Sequence, residues 1–297
     1  YAFNRKWAGR ELADYLMDGF TSMYQFYTTK HLSKAALIGF AGLMAREPQG
    51  FNLYHTLGGM QVMPSALAKL VTVHYSTPIQ KIQSMGDGVT IKTDSDSYTF
   101  NAVVSALPAP IALKLLSDPC EHQKEVLSQT EYAPTINVSY IIPKDALGNA
   151  SLANVPLEEN DMIADFCHEA MKGETLIDGN QTLLNVGLHE ERAKKLFKES
   201  DDTIYSVVRD ELINLYPPLE KHRNETQPYD LVRWDYAMPK FSHGHITRVA
   251  QFENNGQGHR DIFFCGDFMN GPWIEGSIRT GQRAARAVTQ AFSVNEK

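Results

Sequence analysis

The stretch Asp261–Val288, DIFFCGDFMNGPWIEGSIRTGQRAARAV, constrains the fold of this chain more than any other. Ile262-Phe263-Phe264-Cys265 is a short apolar run that reads as a buried strand, and Gly266-Asp267 ends it in a turn. A loop of small residues (Asn270, Gly271, Pro272) follows, and Glu275-Gly276-Ser277 then opens a helix carrying Ala284, Ala285, Ala287 and Val288 at helical spacing. Such a strand, acidic turn, loop and helix can serve as a plain α/β crossover. It can equally offer a ligand three things: the Asp267 carboxylate for sugar hydroxyls, close backbone approach at Gly266, Gly271 and Gly276, and a helix N-terminus. Unpaired N–H groups and the positive dipole end there stabilise a phosphate or the negative charge of a reduced ring.

Composition narrows the classes. A chain of 297 residues with 43% hydrophobic and 21% charged residues has enough apolar content for one large or two ordinary globular domains. The net charge of -7 and the lack of a basic stripe argue against a nucleic-acid partner. No apolar run reaches the roughly 20 residues needed to span a bilayer. Cys120, Cys167 and Cys265 are odd in number, far apart and without metal spacing, so a reducing, cytoplasmic setting and no metal site are expected, with peripheral membrane association left open. The sequons at Asn137, Asn149, Asn180 and Asn224 carry little weight against the cysteines.

Taken in order, residues 1–47 read as helical throughout. Leu12, Tyr15, Leu16 and Phe20, then Leu32, Ala36, Leu37, Phe40 and Leu43, recur every three or four residues, with Ser33 as an N-cap. Leu57-Gly58-Gly59-Met60 is a turn with room for close approach, and Pro64 opens a helix to about Leu70. Val71–Tyr75 alternates as a strand. A meander follows through Thr77–Ile82, a turn at Gly86-Asp87-Gly88, Val89–Thr93 and Tyr98–Phe100. Asn101–Pro108 reads as a fully buried strand of the kind found in parallel sheets. Helix is expected over Ala109–Leu127 with a break at Asp118-Pro119. Strands are expected at Ala133–Ile142, Met162–Phe166 and Thr182–Leu188, a loop at Gly148–Asn160, two helices at Glu190–Lys198 and Asp202–Tyr216, and a strand at Tyr229–Tyr236. His243 and His245 read as loop histidines at the surface.

The run GDFMNGPWIEGSIRTGQRAA resembles the C-terminal flavin-binding signature of the flavin-containing amine oxidase superfamily, which also includes protoporphyrinogen oxidases. Ile274, Glu275, Gly276, Ser277, Ile278, Gly281, Arg283, Ala284 and Ala285 fit its pattern. Gly58-Gly59-Met60, Thr77–Ile82, Ala102–Pro108 and the WDYAMPKFSHGH segment are similar to further family motifs in the same order, with Phe241 where Tyr is commoner. The resemblance implies an α/β fold, α+β overall: part of a FAD-binding Rossmann-like domain plus a substrate lobe with a mainly antiparallel sheet and helices. It divides the chain into helical substrate-lobe residues 1–56, a FAD-domain segment 57–116, substrate lobe 117–240 and a C-terminal FAD-domain segment 241–297.

The same resemblance implies a FAD-dependent oxidoreductase that moves a hydride from an amine or reduced-ring substrate, a small molecule, onto flavin. The cofactor would be held by Gly58, Gly59, Met60, Ile79, Ala106, Pro108, Gly266, Asp267, Trp273, Ile274, Glu275, Gly276 and Ser277. It would be non-covalent, because the Phe268–Trp273 loop has no cysteine. Trp234, Tyr236 and Asn137 are the catalytic candidates, Asn137 standing where many amine oxidases carry a lysine. No G-x-G-x-x-G fingerprint with a following acidic residue is found. The chain is therefore expected to be a C-terminal part of the family pattern, with a second chain supplying the adenine-binding piece, a homo-oligomer covering the surface, or a fragment in hand. The alternative function is a non-catalytic interaction module derived from the flavoprotein fold.

Overall fold

The computed structural model describes residues 1–46, 56–86, 88–148, 152–172 and 179–293. Glu47, the turn residue Asp87 and the sequon at Asn149 lie outside them. The chain forms two compact units, one of residues 1–32 and 132–238, the other of residues 33–131 and 239–297. The divisions between these units fall at 32/33, 131/132 and 238/239.

In the first unit the N-terminal region is broken rather than continuous helix. It comprises α1 (Ala2–Ala8), a π-helical turn at Leu12–Asp18 and α2 (Gly19–Gln25), which ends where Phe26 enters the left-handed region at φ 64°. Asp18, buried, accepts hydrogen bonds from the Thr29 backbone and hydroxyl and so fixes the turn after α2. In the second unit Ser33 caps α3 (Lys34–Arg46) as expected, its hydroxyl accepting from Ala36 N at 3.1 Å. After α4 (Val62–Ala68) the expected strand at Val71–Tyr75 is not formed. Those residues are exposed and irregular, and Ser76 turns at φ 51° before Pro78, so the alternation there has no sheet face to bury.

The meander is β1 (Ile79–Ser84), β2 (Val89–Thr93) and β3 (Ser97–Phe100), paired antiparallel in that order. Next come β4 (Val103–Ser105), α5 (Ala109–Leu115) with Pro108 at its start, and α6 (Glu121–Ser128), the break falling at Asp118-Pro119 as read from sequence. β4 is buried on one face only: Val103 and Ser105 are covered, whereas Val104 is 44% exposed.

The first unit continues with β5 (Tyr132–Pro143), β6 (Leu152–Asn154), β7 (Ile163–His168), β8 (Gln181–Leu188), α7 (Glu190–Leu196), α8 (Asp201–Leu215) and β9 (Gln227–Pro239). β6 lies in the stretch expected to be loop; at three residues it is too short for a periodic signal. The sheet order is β6-β7-β8-β5-β9, with β6–β7, β7–β8 and β8–β5 antiparallel. Alternation in β5 sends Ile136, Val138, Tyr140 and Ile142 into one core with Leu184, Val186 and Leu188 of β8 and with Ile204, Val208 and Leu212 of α8. Each fully buried Leu or Ile contributes about 1.5–3 kcal/mol. Ser200 caps α8 through Thr203 N at 3.2 Å, α8 stops at Leu215 ahead of Pro217-Pro218, and those prolines open a 3-10 helix, Pro217–Glu225.

The second unit closes with α9 (His245–Asn255), β10 (Ile262–Phe264) and α10 (Ile274–Ser293). β10 pairs parallel with β4, Ile262 opposite Val103 and Phe264 opposite Ser105. One edge of β10 is closed by a side chain. Gln257 donates from Nε2 to Phe264 O at 2.8 Å, and its Oε1 accepts from Phe264 N at 2.9 Å, so the amide takes the place of a neighbouring strand.

Candidate cofactor site

The parallel pairing of β4 and β10 brings their carboxyl ends together. Cys265 N donates to Ser105 O at 3.0 Å, which sets Ala106-Leu107-Pro108 beside Gly266-Asp267. In open α/β arrangements the crevice beyond such strand ends is where ligands bind. Gly266 adopts φ 149°, ψ 170°, a conformation open in practice only to glycine. It releases the chain into the short helical turn Asp267–Met269, in which Asp267 Oδ1 accepts from Phe268 N at 2.7 Å. Burial pushes the Asp267 carboxyl above its ordinary range, and among the described residues only backbone N–H groups relieve it.

Thr280 and His245 hold this turn. The Thr280 hydroxyl, in the second turn of α10 and 1% exposed, accepts from Gly266 N at 3.0 Å and lies 3.0–3.1 Å from the carbonyls of Gly276, Ser277 and Gly266. It ties the strand end to the helix. His245 is buried, not at the surface as the sequence suggested; its Nε2 donates to Phe268 O at 2.7 Å, and burial lowers its pKa so that the ring stays neutral. His243 is exposed. Neither Thr280 nor His245 stood out as a site residue in the sequence; the one usable signal was Thr280 standing four residues after Gly276.

Gly276 packs on the loop. A β-carbon there would overlap the Gly271 carbonyl oxygen and come 2.9 Å from its nitrogen, so α10 begins as close to residue 271 as backbone allows. Around this start, Trp273, Ile274 and Ile278 remain exposed, an apolar platform beside the outward-facing N–H groups of the first helical turn. A cavity of about 610 Å³ adjoins it within the second unit. It is walled by α3 from Ala35 to Gly42, by Phe241, His245 and Glu253, and by the segment from Met269 to Arg279. Phe40 meets Phe241 and Trp273 edge-on, ring centres 5.6 and 4.8 Å apart.

The structure thus gathers Ala106, Pro108, Gly266 and Asp267 at one strand end, and Trp273, Ile274, Glu275, Gly276 and Ser277 at the helix that the strand end is tied to. Trp273, Glu275 and Gly276 line the cavity; Gly58, Gly59, Met60 and Ile79 do not. Gly58 and Gly59 form a turn at φ 85° and 87° before α4, Met60 is exposed, and Ile79 opens β1. In the other unit, Trp234 and Tyr236 are exposed on β9, with Tyr236 edge-on to Tyr132 at 5.6 Å, and Asn137 stands on β5 opposite Gly187 of β8.

A family model for flavin containing amine oxidoreductases matches residues 2–289. The chain belongs to this family. Solved structures of similar fold include the protoporphyrinogen oxidase-like protein of Exiguobacterium sp. 255-15 (16% identity, TM-score 0.72, 98% of this chain and 66% of that one). Cyclohexylamine oxidase of Brevibacterium oxydans IH-35A is similar at 13% identity and TM-score 0.68, over 93% of this chain and 64% of that one. Putrescine oxidase bound to putrescine is similar at 15% identity and TM-score 0.61, over 79% and 53%. At such identities the likeness is one of fold, and this chain spans about two thirds or less of these proteins. No curated protein matches it.

Membership in the family implies a flavin cofactor. The residues present fit one: a strand end opened by Gly266 in a conformation only glycine adopts, a carboxylate at Asp267 with no cation beside it among the described residues, and an uncovered apolar platform at Trp273 and Ile274. Among the described residues no group of three or more His, Cys, Asp or Glu is gathered to hold a metal, and no helix is long and apolar enough to cross a membrane.

Proposed function

We propose that this chain forms the flavin-ring half of the FAD site in an oxidoreductase that takes a hydride from an amine or reduced-ring small molecule. The observation that carries this reading is the strand end at Gly266-Asp267 clasped by Thr280 to a helix whose first turn is uncovered and apolar. Asp267 would accept from sugar hydroxyls, Gly266 would let the cofactor approach backbone, Gly276 would hold the helix start against Gly271, and Trp273 and Ile274 would pack beside the ring. The dipole of α10 would favour negative charge at its start, worth about 0.3–1 kcal/mol. When bound, the flavin would supply the hydride acceptor, and this chain would supply orientation and electrostatics. With no cysteine at residues 268–273 the cofactor would be held without a covalent bond.

In this reading residues 33–131 and 239–297 are the cofactor unit, and residues 1–32 and 132–238 the substrate unit, where Trp234, Tyr236 and Asn137 face substrate. The α4 helix has no buried residue, and Leu57, Leu67, Leu70 and Val71 are exposed, which supports further polypeptide packing on the cofactor unit. Native mass spectrometry distinguishes a second chain or a homo-oligomer from a monomer. The function is tested by adding FAD to the purified full-length gene product and following flavin absorbance through gel filtration. Co-eluting flavin that an amine bleaches anaerobically supports the reading. A product that stays colourless refutes it and favours the interaction module.

A further inference from the structure

Strand β3 is an open edge of the three-stranded meander, and Ser97, Tyr98, Thr99 and Phe100 are all exposed. Which of its backbone groups are free follows from the pairing. Phe100 stands opposite Val89 and Tyr98 opposite Ile91, Thr93 N donates to Asp96 O at 2.9 Å in the turn between the strands, and a β-carbon on Gly88 would come 2.6 Å from Phe100 O. Alternate residues of an antiparallel strand bond to the same neighbour, so Tyr98 and Phe100 direct their N–H and C=O groups at β2, and Ser97 and Thr99 direct theirs outward. Among the described residues no strand or turn pairs with that outer edge.

The side chains divide in the same way. Thr99 lies on the polar face, its hydroxyl 3.3 Å from that of Thr90. Tyr98 and Phe100 share the other face, their rings nearly parallel with centres 6.4 Å apart. That face is apolar across the meander, but its cover runs out at β3. Ile82, bridged to Leu116, and Val89 are buried on it, whereas Tyr98 and Phe100 are 36 and 47% exposed. The His74 ring lies 6.1 Å from that of Tyr98, which brings the exposed Val73 and Tyr75 to the same edge. β3 carries no charge, proline or register shift of the kind that keeps natural sheet edges apart.

We propose that β3 is a homodimer interface, at which a second copy of this chain adds its own β3 antiparallel across a twofold axis at Thr99. In that register Thr99 of each copy exchanges backbone bonds with Thr99 of the other, and Ser97 meets Asn101. Tyr98 then meets Phe100 in the non-hydrogen-bonded pairs, where cross-strand side chains stand closest. The neighbouring register, centred on Tyr98, would set Asp96 against Phe100 instead. The outward groups and the aromatic pair thus match a second β3 about a twofold, as an isologous contact requires. At about 200 Å² for a large side chain, the exposed parts of Val73, Tyr75, Tyr98 and Phe100 come to roughly 400 Å² per copy, close to the roughly 450–500 Å² of apolar area that a standard interface covers on each side. The interface is independent of flavin binding.

Sedimentation velocity of the full-length protein over a concentration series tests it, with a reversible dimer expected. Thr99→Lys sets like charges against each other on the axis and should weaken association roughly tenfold or more. Thr99→Pro removes an outward N–H and leaves the β2–β3 ladder whole, so it should be monomeric with its melting temperature retained. If that variant does not fold, Thr99→Lys decides alone. On mild oxidation Thr99→Cys should give a disulfide-linked dimer on a non-reducing gel and Ser97→Cys should not, since in this register residue 99 meets its own copy and residue 97 does not. The wild type, with Cys120, Cys167 and Cys265 in place, is the control. A wild type found as a monomer, or with a different polypeptide in place of a second copy, overturns the interface. So does a dimer equally tight in Thr99→Lys, or cross-linking through residue 97 in preference to 99.

Discussion

Gly276 and Gly281 sit on the same helix five residues apart, and the structure assigns them opposite responses to the same substitution. At Gly276 an added methyl overlaps the Gly271 carbonyl and crowds its nitrogen at 2.9 Å, and all of these neighbours are backbone. The loop or the helix start must move, and overpacking of this kind costs about 1–3 kcal/mol. The gain from replacing a helical glycine, about 0.5–1 kcal/mol, offsets only part of it. At Gly281 nothing lies within 4 Å, so Gly281→Ala collects that gain without the cost. Because both collect the same gain, the two variants should differ by the overpacking cost, about 1–3 kcal/mol, or several degrees in melting temperature at roughly 2–4 °C per kcal/mol. Urea denaturation of wild type and both variants measures the difference, and FAD titration adds a second reading, weakened in Gly276→Ala and unchanged in Gly281→Ala. A Gly276→Ala protein as stable as wild type would show that residues 271 and 276 are not in close backbone contact, and the site geometry would fall with it.

Gln257→Leu leaves the N–H and C=O of the buried Phe264 without partners and should cost about 2–4 kcal/mol in denaturant unfolding, while a change under about 0.5 kcal/mol would mean that β10 is not capped by this side chain. Thr280→Val should speed hydrogen exchange at the Gly266 amide and Thr280→Ser should restore protection; equal exchange in both would dismiss the clasp. Two desolvated groups, the half-buried Asp165 and the buried His189, set opposing pH slopes. The Asp165 carboxyl, raised to about 7, keeps its proton in the folded state while the unfolded chain loses it near 4, so stability falls as pH rises across that window by up to about 4 kcal/mol, and Asp165→Asn should flatten this limb and be the stabler protein at pH 8. Burial holds His189 down to about 4, so the unfolded chain takes up a proton first as pH drops below about 6.5, and stability is lost from there to pH 4 by about 3 kcal/mol; a His189→Gln protein with the same acid slope would rule this out.

Local patterns were legible where one residue type has one physical use. The alternation of Ala133–Ile142 became β5, Ser33 capped α3, α8 stopped ahead of Pro217-Pro218, and the acidic turn after Phe264 fell where Gly266 and Asp267 stand. Patterns failed where the outcome depends on what lies opposite. Val71–Tyr75 alternates as a strand should, yet has no sheet to join, and Val104 belongs to an apolar run but faces outward because β4 is covered on one side. His245 reads as a loop histidine and is the buried first residue of α9.

The sequence by itself determined most of the elements, the glycine and the carboxylate at the end of β10, and the family, since all of these follow from near-neighbour chemistry read along the chain. Only the tertiary structure decided which groups close the gaps between elements: Thr280 on Gly266, His245 on Phe268, Gln257 along the edge of β10, and Asp165 lying over Gly187 with no cation beside it. These contacts join residues 7 to 23 positions apart, Asp165 and Gly187 on separate strands among them, and no periodicity along the chain encodes which side chain will meet which backbone group. Cross-strand register and the helix start set them. That is why the stretch 261–288 announced a cofactor site while the residues that hold it in shape had to be seen.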